Sequence, residues 1–480
     1  MNRRPCRLQL AKHAAALTAT AFLTACVTDR VTGEKRFAVV QWSVAQEQAI
    51  GDQAAPNFEQ QFGGAMPDAA AQLYLASVVK EMAGHSVRKD DFSYQFEVLD
   101  SSEPNAFALP GGYVYITRGL MENLESEGEF VAVLGHELGH VEHQHSMLQQ
   151  NKAIAASVLV GAVGIGEELL KKDPDQPNNV TALVGAAAPL ALLHFSREQE
   201  SEADVRGLYF AHAMGYDPRE MKKTFEYFAR LEAAAGSSTP SFLRDHPTNE
   251  TRLGDIDTEI AAKYGEVLAK KPAQFRAAPG PNDRFVQIVT AMKKRAPAHQ
   301  KADEAQALLA KGGDDPAALA KAKKLADEAC AALPDDPQFH CLAGEIAFTQ
   351  QKPGEKSAKG DRGRAEFEKA RQLQQKATPT KELWKPAFYL GVLDLDAGKG
   401  ASAAKSLRRA SELFPDNPVA AYYLGRAEEL NGDKQAAATA YARAAELAPA
   451  ESELHQKAAE RAKVVQGLTP AAPAKQGGHR

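Results

Sequence analysis

Two histidines four residues apart, with a glutamate directly after the first, have the types and spacing of a catalytic metal site. They lie in His136-Glu137-Leu138-Gly139-His140. On an α-helix, residues i and i+4 share one face, so both imidazoles can reach a single metal ion. A catalytic Zn²⁺ takes about three protein ligands and one water, and a neighbouring carboxylate removes a proton from that water. The motif therefore predicts that His136 and His140 bind zinc and that Glu137 is the general base.

The residues before this motif predict a helix start. Ser126 followed by Glu129 matches a capping box, and carboxylates gather at the positive end of the helix dipole. Gly135 and Gly139 each cost about 1 kcal/mol relative to alanine inside a helix. We interpret these two glycines as positions where another backbone approaches closely beside the site.

A second helix with paired carboxylates follows downstream. Ser196 and Gln199 match another capping box, and Glu200 and Asp204 again share one helix face. HExxH followed by ExxAD resembles the CaaX prenyl protease-like (HtpX/BepA-type) family of zinc metallopeptidases. That resemblance implies an α+β, mostly helical, zincin-like (gluzincin) domain over residues 26–263. It also implies that Glu200 is the third ligand of one Zn²⁺ per chain, and that Asp204 orients a ligand histidine.

Two further histidines fit the pattern of the same family. His246 precedes Pro247, as in the family's His-Pro segment, and the proline restricts His246 to extended backbone. Some relatives place this histidine near the metal, which implies that His246 either fills the open coordination position or assists catalysis. A surface loop closed by Pro247 is the alternative interpretation. His145 is expected to orient a ligand or to be structural, and His143 to be solvated.

Residues 92–118 predict strands. Phe92, Tyr94, Phe96 and Val98 alternate with polar residues, and a Pro-Gly-Gly turn separates two further apolar runs. The family resemblance implies that an edge strand here pairs with an extended substrate backbone through main-chain hydrogen bonds. A plain hairpin packed under the active-site helix is compatible with the same pattern. The predicted substrate-binding residues are Asn105, Ala106, Phe107 and Ala108.

Residues 1–25 predict a lipoprotein signal peptide. Basic residues precede an apolar run from Ala14 to Leu23, which is too short to span a bilayer. Leu23-Thr24-Ala25-Cys26 resembles a bacterial lipobox, which implies cleavage before Cys26 and acylation of its sulfur. Acyl chains anchor a protein by burying CH₂ groups in the membrane. We therefore predict a lipid anchor on the periplasmic side of the outer membrane, with an ordinary cleaved signal peptide as the alternative.

Two features leave alternatives open. The apolar segments 153–166 and 180–195 hold about 14 and 16 residues, short of the roughly 20 that span a bilayer, which favours core or lid helices over membrane-dipping ones. Cys330 and Cys341 flank a turn between two predicted helices. They would either form a disulfide or remain small buried thiols.

The C-terminal part changes character after a linker over residues 264–300. Pairs of identical residues recur there at a period of 34 residues, the period of tetratricopeptide repeats. These pairs are Leu390-Gly391 with Leu424-Gly425, Ala410 with Ala444, Leu413 with Leu447 and Pro415 with Pro449. We predict an all-α tetratricopeptide solenoid over residues 301–465, whose concave surface binds peptides or partner proteins, and a disordered tail over 466–480.

Composition and charge narrow the class of function. Hydrophobic residues make up 44% of the chain and charged residues 25%, which are ordinary globular values. The net charge is −5 and no long basic run occurs, so no nucleic-acid partner is predicted. The resemblance implies a periplasmic zinc endopeptidase that hydrolyses misfolded or stalled proteins during outer-membrane protein assembly, and meets that machinery through its repeats. The alternative is a chaperone or adaptor whose repeats bind clients while the protease site stays mostly latent.

Overall fold

The computed structural model describes most of the chain between residues 26 and 467. The gaps are residues 39, 160–194, 236–241, 243, 245, 247–249, 271–274, 277–279, 313–314, 351–357 and 379. The described residues are mostly helical, with a few short strands. Contacts divide the chain into two compact units, one of Met1–Ala55 and Ala70–Met292, the other of Pro56–Ala69 and Lys293–Arg480. The domain boundaries predicted from the sequence stay a prediction.

The first unit carries the strands and the helices around them. The strands are β1 Cys26–Thr28, β2 Lys35–Phe37, β3 Gln95–Leu99, β4 Ala106–Leu109 and β5 Tyr113–Thr117. The described helices are α1 Val44–Gln61, α2 Ala69–Ala83, α3 Arg118–Met121, α4 Glu127–Glu142, α5 His145–Leu159, α6 Arg197–Ala213, α7 Glu220–Ala235, α8 Glu250–Glu259 and α9 Gly265–Lys270. The π-helical turn Ile260–Tyr264 lies between α8 and α9. From Pro56 onwards, the residues of α1 group with the second unit.

The larger sheet has the strand order β3-β5-β4, with β3 parallel and β4 antiparallel to β5. Gly111 and Gly112 connect β4 to β5 with φ of +82° at both residues, which glycine adopts without steric cost. This strand–turn–strand follows the sequence prediction. β3, however, begins at Gln95, three residues after Phe92, and the Phe92 ring packs under the guanidinium of Arg88. β4 is left at an edge of the sheet.

Helix α4 is buried along its whole length and packs against α6. A Cβ atom built on Gly135 would lie 2.7 Å from the Cβ of Phe210, and one on Gly139 would lie 2.8 Å from the Cβ of Arg206. Real side chains do not tolerate such contacts, so glycine is required for the two helices to approach this closely. The predicted close approach beside the motif is confirmed.

Both predicted helix starts are capped by serine. Ser126 Oγ accepts a hydrogen bond from the N–H of Glu129, while the Glu129 side chain accepts one from the N–H of Glu125, one residue before the cap. Ser196 and Gln199 form the complete reciprocal capping box. These bonds satisfy N–H groups that have no partner within the helix, and thereby fix where α4 and α6 begin.

The described residues of the second unit are mostly helical. From Lys293, this unit contains most of helix α10 Arg284–Gly312. The later helices are α11 Pro316–Ala332, α12 Pro337–Thr349, α13 Ala358–Ala377, α14 Trp384–Asp396, α15 Gly400–Leu413, α16 Pro418–Leu430, α17 Lys434–Leu447 and α18 Glu453–Val465. Pairs of neighbouring helices pack on each other, notably α12 on α13, α14 on α15 and α16 on α17.

A recurring contact joins the two helices of each such pair. A glycine in the first helix lies against a large side chain of the second, so closely that a Cβ would clash. The contacts are Gly344 with Phe367, Gly391 with Leu407 and Gly425 with Tyr441. The last two glycines are separated by the predicted period of 34 residues. Assignment of these pairs to the tetratricopeptide class stays a prediction.

Cys330 and Cys341 are free thiols. Cys341 is buried in a cluster with Phe367 and Leu390, whereas Cys330 packs at the edge of a different apolar cluster. The two alternatives left by the sequence are thereby resolved in favour of packed thiols, since each cysteine belongs to its own core.

Most of the two apolar segments predicted after the motif lies outside the described residues, which resume at Phe195. The beginning of the first segment continues α5 as far as Leu159. Within the described parts of the chain, no helix combines the length and the apolar content that crossing a membrane requires.

Candidate metal centre

Four buried side chains converge in the first unit. His136 and His140 project from α4, Glu200 comes from α6, and His246 lies in the segment before α8. One ligand-type atom from each lies within 4.8 Å of the others. The i, i+4 spacing brings both imidazoles of α4 to the same side of the helix, facing the carboxylate on α6.

The separations between these atoms fit a tetrahedral site. His136 Nε2 lies 3.1 Å from His140 Nε2, and the oxygens of Glu200 lie 3.6 and 3.5 Å from these two nitrogens. His246 Nδ1 is 3.0 Å from Glu200 Oε1 and 3.4 Å from His136 Nε2. Tetrahedral zinc, with bonds of about 2.0–2.1 Å, requires ligand atoms about 3.3 Å apart. Imidazole and carboxylate are also ligands that zinc favours, so these residues fit that metal.

A carboxylate supports His136 directly. Asp204 Oδ1 lies 2.9 Å from His136 Nδ1, and Arg252 donates to both oxygens of Asp204 at 2.7 and 3.0 Å. Arg252 also lies 2.9 Å from Glu200. Burial alone would raise the pKa of Glu200, but His246, His136 and Arg252 outweigh it and lower that pKa to about 2. Glu200 is therefore ionised at neutral pH, as its predicted role as a ligand requires.

An imidazole, in contrast, supports His140. His145 Nδ1 lies 2.8 Å from His140 Nδ1, and His145 Nε2 lies 2.9 Å from Glu202 Oε2. Burial lowers the pKa of His145 to about 4, despite the opposing hydrogen bond to Glu202, and lowers the pKa of His140 well below its usual value. Both rings are therefore neutral at pH 7, and each carries one proton.

These hydrogen bonds determine which nitrogens carry lone pairs. The Asp204 carboxylate only accepts, so the His136 ring donates to it from Nδ1, and the metal-binding form of this ring has its lone pair on Nε2. The Glu202 carboxylate also only accepts, so the neutral His145 ring donates to it from Nε2 and accepts at Nδ1. His140 therefore donates to His145 from Nδ1 and has its lone pair on Nε2. Two such nitrogens 3.1 Å apart, next to the Glu200 carboxylate, form an electron-rich site that attracts a cation. The donor arrangement therefore favours a bound metal cation.

His246 lies inside this cluster. Its side chain is buried, and the rings of Phe242 and Phe195 flank it at centroid distances of 4.9 and 5.7 Å. Burial lowers the pKa of His246, but the charges of Glu200 and Glu137 outweigh it and raise that pKa to about 9. The surface-loop interpretation of His246 is wrong, because the ring is packed against the predicted ligands.

Glu137 is buried beside the cluster. Its Oε1 lies 3.9 Å from His246 Nε2, on the same helix as the two α4 histidines. The predicted substrate residues Asn105, Ala106, Phe107 and Ala108 lie at or in the edge strand β4, which packs against α4. Cys26 is exposed at the start of β1.

Comparison with known proteins finds relatives of the segment that carries this site. Residues 69–260 match the sequence profile of peptidase family M48. The "Beta-barrel assembly-enhancing protease" of Escherichia coli (strain K12) is 27% identical over 220 residues, which cover 44% of this chain and 43% of that protein. "Mitochondrial metalloendopeptidase OMA1" of Arabidopsis thaliana is 30% identical over 197 residues, covering 40% and 38%. "Metalloprotease LoiP" of Escherichia coli (strain K12) is 26% identical over 232 residues, covering 48% and 87%. The chain thus spans less than half the length of the first two proteins.

An HExxH helix facing a glutamate on a following helix defines a metallopeptidase domain. Residues 69–260 carry this arrangement and match peptidase family M48, whose members depend on zinc. The roles of His136, Glu137, His140 and Glu200 stay predictions, now supported by their geometry.

Several residues of the site were not found by sequence reasoning. Glu202 and Arg36 were given no role in the sequence analysis. Glu202 contacts His145, the neighbour of His140, and Arg36 contacts Glu202. His143 was predicted to be solvated, which is wrong: it is buried and its Nδ1 lies 2.6 Å from Asp29. The only signal in the sequence was the position of Glu202 beside Glu200, and a helix places that residue on a different face.

Proposed function

We propose that the protein is a zinc-dependent endopeptidase in which His136, His140 and Glu200 bind the metal and Glu137 is the general base. The observation that carries this proposal is the set of ligand atoms 3.0–3.6 Å apart, with Glu137 beside them, within a segment of M48 type. The zinc ion, when bound, would polarise the scissile carbonyl and lower the pKa of water to about 7.

Residues of the chain would transfer the proton, orient a ligand and exclude bulk water. Glu137 takes the proton of the attacking water and passes it to the leaving amine. Asp204 and Arg252 hold His136 in the tautomer that presents Nε2. Burial of the cluster keeps bulk water away from these charges, which strengthens their interactions.

We infer that the edge strand β4 holds the substrate backbone. The N–H of Thr117 donates to the carbonyl of Asn105, so these residues form a hydrogen-bonded pair of the antiparallel ladder. Because such pairs alternate, the backbone groups of Ala106 and Ala108 point away from β5. An extended peptide would add to the sheet through these groups.

A specific observation favours a second candidate function. His246 lies at ligand distance from the cluster, where it would occupy the position that water needs. With His246 in that position the protease is latent. The protein would then act mainly as a chaperone or adaptor, binding clients through the helices of the second unit.

The cellular setting belongs to the same proposal. The name of one relative refers to enhancing β-barrel assembly, and the lipobox-like segment ends at Cys26, which is exposed. We propose that the protein is lipid-anchored at the periplasmic face of the outer membrane. Its substrates would be misfolded or stalled outer-membrane proteins, met together with their assembly machinery through the helical repeats.

The variant Glu137→Gln tests the enzymatic proposal. It should retain about one zinc per chain, measured by metal analysis, because Glu137 is not a ligand. Casein cleavage should fall roughly 10²–10⁴-fold, the contribution typical of general acid–base catalysis. Glu198→Gln, which changes an exposed carboxylate on α6, is the matched control and should cleave normally. Loss of zinc together with activity would make Glu137 a ligand and refute the assigned role.

The variant His246→Ala separates the protease from the latent adaptor. If His246 blocks the metal, basal casein cleavage should rise while zinc stays bound by the other three ligands. If His246 instead stabilises the intermediate, kcat should fall, by about 10²–10³-fold if it acts as one oxyanion donor. Unchanged basal and client-stimulated cleavage would exclude both roles.

A further inference from the structure

The N-terminal hairpin of β1 and β2 contacts the surroundings of a zinc ligand. Arg36 of β2 forms ion pairs with Glu202 of α6 and with Asp29, the latter at 2.9 Å. Asp29 lies in the hairpin turn, where its Oδ1 also accepts hydrogen bonds from the N–H groups of Val31 and Thr32. The turn thus holds Asp29 in place, and Asp29 in turn helps to hold Arg36.

From Glu202 the contacts continue to the proposed zinc ligand. Glu202 Oε2 lies 2.9 Å from His145 Nε2, and His145 Nδ1 lies 2.8 Å from His140 Nδ1. His145 is completely buried, so water cannot replace either bond. With both rings neutral, one arrangement of protons satisfies both bonds: His140 donates to His145, and His145 donates to Glu202.

A second metal site is the obvious alternative for these residues. His143, His145 and Glu202 bring ligand-type atoms within 4.8 Å of one another. Both nitrogens of His145, however, already form hydrogen bonds, and the guanidinium of Arg36 already neutralises Glu202. A second cation there would have to displace a buried hydrogen bond and face the positive charge of Arg36. The contacts therefore favour structural support of the neighbouring ligand over a second metal.

We propose that Arg36 and Glu202 are positioning residues for His140, acting through His145, and that the hairpin Cys26–Phe37 supports the metal centre through Arg36, the one of its charged side chains that pairs with α6 in the described structure. Arg36 fixes the Glu202 carboxylate, Glu202 fixes the tautomer of His145, and His145 fixes the ring of His140. This proposal rests on the proposed zinc site. It concerns the residues that support a ligand, and not those that touch the metal or the substrate.

The hairpin offers a matched control for Arg36. Arg30 also pairs with a carboxylate, Asp91, at 2.8 Å, and half of its side chain is exposed. Asp91 contacts Arg30 and Arg88, neither of which contacts a proposed zinc ligand in the described structure. Arg30→Ala therefore removes an ion pair of the same hairpin without touching the His140 support.

The full-length protein should be compared in six forms: wild type, Arg36→Ala, Arg36→Lys, Glu202→Gln, Arg30→Ala and His140→Ala. Zinc affinity is measured by competition with a chromophoric chelator, and ligand geometry by the visible absorption of the Co²⁺-substituted proteins. Loss of residues that support metal ligands typically weakens metal affinity or activity by 10–100-fold, and we expect a loss at the lower end of this range, up to about tenfold, for Arg36→Ala and Glu202→Gln. Arg36→Lys should restore part of the loss, because it restores the positive charge.

Kinetics and melting separate positioning from general stability. In Arg36→Ala and Glu202→Gln, kcat for a short peptide should fall while KM stays unchanged, because neither residue meets the substrate. Arg30→Ala should keep the zinc affinity, the Co²⁺ spectrum and kcat of the wild type, whatever it does to melting temperature. Glu202→Gln preserves shape, so it keeps the test decisive if Arg36→Ala folds poorly.

Failure of the positioning role and failure of the proposed zinc site would give different results. If Glu202→Gln and Arg36→Ala bind zinc as tightly as Arg30→Ala and give the same Co²⁺ spectrum, the positioning role is refuted and the hairpin is only structural. If the wild type itself binds zinc no better than His140→Ala, the zinc site has failed, and with it the proposed function.

Discussion

His136 and His140 lie one turn apart on the same helix, yet they are held in different ways. His136 meets a carboxylate directly, and a buried arginine on α8 holds that carboxylate. His140 meets a neutral imidazole, and the carboxylate comes one step later, held by an arginine from the N-terminal hairpin. Each of these two proposed zinc ligands is thus supported by an Asp/Glu–Arg pair. The pair contacts the His136 ring directly, but reaches the His140 ring only through His145.

This difference matters because distance weakens electrostatic support. A carboxylate touching the ring makes His136 a better electron donor and fixes its orientation at once. The intervening His145 ring can fix the orientation of His140. It transmits little of the negative charge of Glu202 to that ring, because a neutral imidazole carries only a dipole. We therefore expect changes on the His136 side to have larger effects than changes on the His140 side.

The largest effect is expected for Asp204→Asn. The substitution keeps the shape of the side chain but removes the charge that faces His136 and Arg252. Zinc affinity should fall by about 10–100-fold, and the free energy of unfolding by roughly 3–5 kcal/mol, because Arg252 loses a partner in a buried ion pair. Chelator competition and urea unfolding measure the two quantities.

The control for Asp204→Asn is Asp217→Asn. Asp217 pairs with Arg219, whose side chain is 62% exposed, and such surface pairs contribute about 0–1 kcal/mol. This variant should bind zinc like the wild type. Equal zinc affinity in the two variants would show that Asp204 gives the ligand no support.

How far the sequence predicts this centre depends on the spacing of its residues along the chain. The pairs His136–His140 and Glu200–Asp204 follow from helical periodicity, and Gly139 from its cost inside a helix. The contact of Arg36 with Glu202 joins residues 166 positions apart, and no periodicity encodes it. The motif and the family pattern therefore predict Asp204 beside His136 and His145 as a ligand-orienting residue, whereas the contacts of Glu202 and Arg36 behind His145 required the fold.

A second, smaller effect is expected for His145→Ala. The substitution leaves the Nδ1–H of His140 without its acceptor inside a buried site, at a cost of about 1–3 kcal/mol. Zinc affinity should fall about tenfold, the lower end of the range for residues that support a ligand. The position of the Co²⁺ absorption band should shift, because the His140 ring is free to rotate.

His143→Ala is the matched control for His145→Ala. The His143 ring stacks on His145 at a centroid distance of 5.2 Å and its Nδ1 bonds to Asp29, but its described contacts do not include His140. The His143→Ala variant should have a lower free energy of unfolding than the wild type and the same zinc affinity. Equal loss of zinc affinity in both variants would mean that packing, and not the hydrogen bond to His140, supports the ligand.

The smallest effect on zinc affinity is expected for a change of Glu129. This buried carboxylate lies near the start of α4, the helix that carries His136 and His140. Glu129 accepts a hydrogen bond from the N–H of Glu125, and no arginine contact is among its described interactions. Burial, opposed by that bond and reinforced by the charge of Glu220, raises its pKa to about 7. A carboxyl group whose pKa is higher in the folded state favours folding when protonated. This contribution is present below the unfolded pKa of about 4.5 and is lost as the pH rises towards 7.

Glu129→Gln should therefore stabilise the protein at pH 8 and have little effect at pH 4.5, because glutamine stays neutral and can still accept the hydrogen bond. We expect a gain of about 1–3 kcal/mol in the free energy of unfolding at pH 8, measured by urea unfolding at both pH values. Zinc affinity should not change, since Glu129 supports no ligand. A loss of stability at pH 8 would show that the ionised carboxylate is needed there, and that a buried carboxylate on this helix does not require an arginine partner.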